Sequence, residues 1–132
     1  MRPYECSDGR WIDLICFNEG FVRALIEEAG VKHWLGQPFV GDVSRPFRTT
    51  PEQAAALFGK LEALFRTRTA EEWETALSRV GVPVAVCRTT EQFLKLPQAV
   101  KSGAILAVAD PQLGPTLQPG LLVNLERTPG GA

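Results

Sequence analysis

Residues 69–120 constrain the fold more than any other stretch. They read TAEEWETALSRVGVPVAVCRTTEQFLKLPQAVKSGAILAVADPQLGPTLQPG. Thr69-Ala70-Glu71-Glu72 is a capping box, in which hydroxyl and carboxylate satisfy each other's backbone N–H groups. Trp73, Ala76, Leu77 and Val80 then recur at helical spacing, and Gly81 closes the helix. Residues 82–87 read as a short apolar strand, and Pro83 near its start predicts an edge position. Thr89 caps a turn or two through Leu94, and Pro97 opens another short helical turn that Gly103 stops. Residues 104–109 predict a further strand, after which Asp110-Pro111 and Gly114-Pro115 turn the chain. Residues 121–125 are strand-like, and residues 128–132 read as a frayed end. Strands and helices in this order do not alternate as βαβ units. The expectation is an α+β domain with short antiparallel strands and several helices.

The first half supplies a hairpin and two longer helices. Asp8-Gly9 predicts a tight primed turn between Tyr4 and the run at residues 10–17. That run lacks clean alternation, which predicts burial on both faces over part of its length. Asn18 is a strong N-cap, and Phe21, Val22, Leu25, Ile26 and Ala29 form a helical stripe ended by Gly30. Residues 32–35 add one more turn. Residues 36–49 hold two Gly and two Pro and read as an extended loop pinned by Phe39 and Phe47. Thr50-Pro51-Glu52-Gln53 is a second capping box, followed by Ala54, Leu57, Phe58, Leu61, Leu64 and Phe65. Arg66-Thr67-Arg68 reads as a helix end whose cations complement the dipole.

A length of 132 residues predicts one domain spanning residues 1–132. Net charge of −1 with interspersed signs argues against nucleic acid and anionic membrane surfaces as partners, since both require a basic patch. No apolar run reaches the length of a membrane span, and the first residues carry no secretory signal. Three cysteines are too few for a disulfide framework and read as reduced thiols in a cytoplasmic protein.

Residues able to carry chemistry are few. His33 is the only histidine, and its position beside Trp34 at a helix end predicts a bond to free carbonyls. One histidine and scattered cysteines do not make a metal site, so no metal is expected. The single glycines form no phosphate loop. Gly20 and Gly59 lie inside helix patterns, where close packing is the expected reason. Glu27, Glu28, Glu52, Glu71, Glu72 and Glu74 read as solvated helix faces or first turns. Asn18, Glu19 and Gly20 are the candidate substrate-binding residues, with Glu19 the one catalytic candidate. They follow a strand–helix junction, and first-turn N–H groups there can face an anionic ligand.

The order of these pieces resembles the class III CoA-transferase family, which includes formyl-CoA and carnitine CoA-transferases and α-methylacyl-CoA racemases. Tyr4 with Ser7-Asp8-Gly9-Arg10-Trp11 is similar to the family's Y-x-x-x-D-G-x-hydrophobic hairpin. Residues 18–30 resemble the helix that follows it. Thr69-Ala70-Glu71-Glu72-Trp73 resembles a recurring T-x-E-E-W entry, and Gly81-Val82-Pro83 a G-V-P one helix later. Leu96-Pro97-Gln98, Gly114-Pro115, Pro119-Gly120 and Thr128-Pro129-Gly130 resemble its closing punctuation.

The resemblance is to the small domain alone. It implies a fragment lacking the large CoA-binding domain and its nucleophilic aspartate. It further implies a lid and acyl-pocket wall in an interlocked homodimer, with coenzyme A carried by the substrate and no activity in isolation. In the racemase branch a carboxylate lies near the start of the first small-domain helix. Asn18 stands there in this sequence, with Glu19 next to it, which favours the transferase reading. The alternatives are a racemase or epimerase small domain using Glu19, and a stand-alone interaction module. A domain cut from its neighbour should expose apolar surface. Trp11, Phe17, Trp34, Phe39 and Leu122 are the candidates.

Overall fold

The first hairpin organises the residues around it. The computed structural model describes residues 2–45, 49–121 and 127. Strand β1 (Arg2–Glu5) pairs antiparallel with β2 (Trp11–Leu14), and Tyr4 lies opposite Ile12. The turn is not the primed type expected from Asp8-Gly9. Cys6 N donates to Arg10 O at 2.8 Å and Gly9 alone has positive φ, at 72°. Three residues therefore close the hairpin, with glycine in the left-handed position that other residues avoid. Asp8 Oδ1 accepts from Arg10 N and from Ala70 N, both at 3.3 Å, so one carboxylate ties the turn to a helix start sixty residues away.

Helix α1 (Glu19–Glu28) follows, capped by Asn18 and stopped by Gly30 at φ +71°. A short 3-10 turn, Lys32–Trp34, comes next. Helices α2 (Pro51–Phe65) and α3 (Ala70–Arg79) both begin with the capping boxes read from the sequence. Strand β3 (Val84–Val86) pairs antiparallel with β2, giving the order β1-β2-β3 with β3 at an edge, as Pro83 predicts. In β2, Ile12 and Leu14 are buried while Trp11 is exposed, so one face is covered rather than two. The core gathers Tyr4, Ile12, Phe65, Trp73, Leu77 and Val82. The Trp73 indole N–H donates to the Phe65 carbonyl at 3.0 Å and satisfies one of the orphan acceptors at the end of α2.

Residues 1–87 form one compact unit and residues 88–132 a second. The second holds α4 (Thr90–Leu94), α5 (Pro97–Lys101), β4 (Ile105–Asp110) and β5 (Gly114–Pro119). Strands β4 and β5 make an antiparallel hairpin with Asp110 opposite Gly114. Gly114-Pro115 predicts a turn, whereas residues 114–119 form β5. Gly114 does sit in the turn, at φ +79°. Pro115 and Pro119 fall opposite Ala109 and Ile105. Gly120 N donates to Ala104 O at 2.8 Å, and alternation from there puts both prolines at positions whose nitrogens face away from β4. Proline is therefore compatible with this edge strand. The arrangement is α+β, with five α-helices and two antiparallel sheets among the described residues. Phe47, Leu122 and most of the last strand-like run, with Thr128-Pro129-Gly130, lie outside the described residues.

Candidate functional site

The structure brings Asn18, Glu19 and Gly20 together at the start of α1 and engages them within the chain. Asn18 is extended, and its Oδ1 accepts from Phe21 N at 2.9 Å. Glu19 Oε1 pairs with Arg23 Nε at 2.7 Å, one helical turn along. A Cβ on Gly20 would lie 3.2 Å from Asn18 Oδ1, so glycine leaves room for the capping amide rather than for another element. Beside them, Phe17 is 50% exposed and meets Phe21 edge to face at 5.2 Å. Trp11 is also exposed, as expected. Trp34 and Phe39 are not part of that surface. Trp34 is buried, Phe39 is half-buried, and the two rings pack edge to face at 5.6 Å.

Other candidates resolve into structural roles, several different from those expected. His33 is exposed, bonds no described carbonyl, and lies edge-on to Trp34 at 6.4 Å. Glu74 is not on a solvated face, since its Oε1 accepts the outward N–H of Val86 at 2.9 Å and covers the β3 edge. Glu28 is largely covered and takes both its contacts from the Arg79 guanidinium, at 2.9 and 3.1 Å. Arg66 pairs with Glu5, and Arg68 stacks 4.5 Å from the Trp73 ring centroid, so neither cation serves the helix dipole alone. Gly59 has open space where a Cβ would stand, which removes close packing as its reason. Among the described residues no three His, Cys, Asp or Glu gather for a metal ion, and no helix is long and apolar enough to cross a membrane.

Sequence reasoning missed a cavity of about 300 Å³ inside the first unit. Its walls come from β1, β2, α1, α2 and residues 31–43 with Thr49, including Leu25, Trp34, Val40, Leu57 and Leu61. Because five separated stretches line it, no local pattern marks it. Arg2, Tyr4 and Cys16 also line it. Burial pushes the Tyr4 hydroxyl up to about 12, partly opposed by the Arg2 charge. Burial likewise pushes the Cys16 thiol up to about 11, which keeps it protonated and a weak nucleophile at neutral pH. Arg2 lies over the Tyr4 and Phe58 rings, 5.6 and 5.2 Å from their centroids, and pairs with Glu62.

Comparison with known proteins gives these elements a context. In structure the chain is similar to Rv3272 from M. tuberculosis, at 19% identity and a TM-score of 0.75, over 96% of this chain and 34% of that one. In sequence it is 26% identical over 141 residues to the CoA-transferase/lyase DddD of Marinomonas sp., covering 95% of this chain and 17% of that protein. It is also 26% identical over 130 residues to the succinyl-CoA–D-citramalate CoA-transferase of Chloroflexus aurantiacus, covering 97% of this chain and 31% of that enzyme. The chain thus spans a third or less of the length of these two relatives. The model of CoA-transferase family III matches residues 1–132, and this chain belongs to that family.

Proposed function

We propose that this chain is the small-domain portion of a CoA-transferase that moves CoA between carboxylic acids. It closes over the acyl group while a larger domain of the same enzyme supplies the CoA site and the nucleophilic carboxylate. The observation that carries this reading is a family match along the whole chain, together with alignments that span only 17% and 31% of two relatives. The position of Glu19 supports it, because its carboxylate is engaged with Arg23 on the surface of α1 and no histidine or second carboxylate bonds to it among the described residues. Exposed Trp11 and Phe17 in the first unit, and Leu113 at 79% exposure in the second, supply apolar surface for the rest of a soluble cytoplasmic homodimer.

The purified chain, shown folded by circular dichroism, is incubated with succinyl-CoA and a carboxylate acceptor. CoA esters are then separated by chromatography. No transfer above the uncatalysed rate is expected. Turnover that depends on the chain and disappears on Glu19→Gln would overturn the assignment of the chemistry to a missing domain.

A further inference from the structure

The cavity in the first unit carries a polar group that the chain leaves unused. Tyr4 is only 3% exposed, and its hydroxyl makes no hydrogen bond with a described residue. No fully enclosed side-chain oxygen or nitrogen lacks a partner among the described residues, so this hydroxyl still reaches open space. Tyr4 lines the cavity, and the charges that bear on its hydroxyl at neutral pH are those of Arg2, which lines the cavity with it, and Glu62. A buried tyrosine O–H ordinarily finds an acceptor. No described residue supplies one here, so the hydroxyl is free to donate to a guest in the cavity.

We propose that this cavity binds a medium-length apolar molecule bearing one neutral oxygen acceptor, such as a ketone or an ester, oriented by the Tyr4 hydroxyl. Size follows from the volume. About 300 Å³ is twice the roughly 150 Å³ of a cavity that admits benzene, which suits about ten non-hydrogen atoms. Chain character follows from walls such as Leu25, Val40 and Leu61, which offer no hydrogen-bonding group. Neutrality follows from Arg2. It is the one charged side chain among the described lining residues and is already paired with Glu62, so a guest carboxylate would give up its water for a cation whose charge is largely offset. The proposal concerns the interior of the first unit and stands independently of the transferase reading.

The test titrates the isotope-labelled chain with 2-nonanone and with nonanoate, following the Trp34 indole N–H resonance by NMR. Saturable shifts with the ketone are expected, with nonanoate at least about tenfold weaker for want of a counter-charge. Tyr4→Phe should weaken the ketone about three- to tenfold while leaving the far-ultraviolet spectrum unchanged. Ala54→Leu, which adds bulk to the cavity wall from α2, should abolish ketone binding and serves if Tyr4→Phe fails to fold. No saturable shift, nonanoate binding as tightly as the ketone, Tyr4→Phe binding undiminished, or Ala54→Leu binding like the parent would each overturn the proposal.

Discussion

Trp73→Phe tests how the first unit is held together. Trp73 is 1% exposed, and its indole N–H is the partner of the Phe65 carbonyl near the C-terminus of α2. Phenylalanine keeps a ring against Phe65, now 5.2 Å away edge to face, but removes the donor. A buried carbonyl left without a partner costs about 1–3 kcal/mol. The Arg68 guanidinium, 4.5 Å from the Trp73 centroid, loses the better of two aromatic faces, a further 0.5–1 kcal/mol or so. The expected destabilisation is therefore about 1.5–4 kcal/mol. Urea unfolding followed by far-ultraviolet circular dichroism measures it, with amide exchange in α2 and α3 confining the change to the first unit. A double-mutant cycle with Arg68→Ala should return a coupling of about 0.5–1 kcal/mol. A total loss below about 1 kcal/mol would show that water satisfies the Phe65 carbonyl, and the argument for Trp73 as a cap on α2 would fail.

Other expectations follow from single atoms. Gly59→Ala should stabilise α2 by about 1 kcal/mol, because no heavy atom lies within 4 Å of the added methyl; a lower urea midpoint would contradict this. Gly120→Ala should destabilise the second unit by about 1–3 kcal/mol, since its Cβ would fall 1.9 Å from the Gly103 carbonyl oxygen; unchanged amide exchange in β4 and β5 would refute it. Cys6 and Cys16 are both pushed by burial from an ordinary value near 9 to about 11. The unfolded thiols ionise first as pH rises, so stability is complete below pH 9 and falls between about 9 and 11. Cys6→Ser with Cys16→Ala should flatten that fall, and an unaltered alkaline slope would show that other groups govern it.

What could be read ahead of the structure was whatever one turn of chain decides for itself. The boxes at Thr50 and Thr69, the Asn18 cap and the Gly30 and Gly81 stops each involve residues within four positions, and all formed where they were read. What could not be read depends on partners far along the chain. Glu74 looked like any helix-surface carboxylate until β3 folded back and presented the Val86 N–H. Trp34 looked exposable because its cover, Phe39 and the walls of the cavity, comes from residues that carry no shared periodicity. Strand β5 was hidden for a different reason. Glycine and prolines are strong turn signals, and only the pairing with β4 shows that each proline nitrogen points where no donor is needed.

The same distinction governs the candidate site. Asn18, Glu19 and Gly20 were singled out because a helix start offers free N–H groups, but the side chain of Asn18 already takes the Phe21 N–H. A ligand anion at that point must displace a cap worth about 1 kcal/mol before gaining anything. It would also lie close to Glu19, whose charge is only partly offset by Arg23. The cavity presents the opposite balance. Its walls need no displacement, and the Tyr4 hydroxyl there bonds to no described residue. Local sequence signals therefore led to the place where the chain satisfies itself, while the cavity is assembled from long-range contacts that no local signal records.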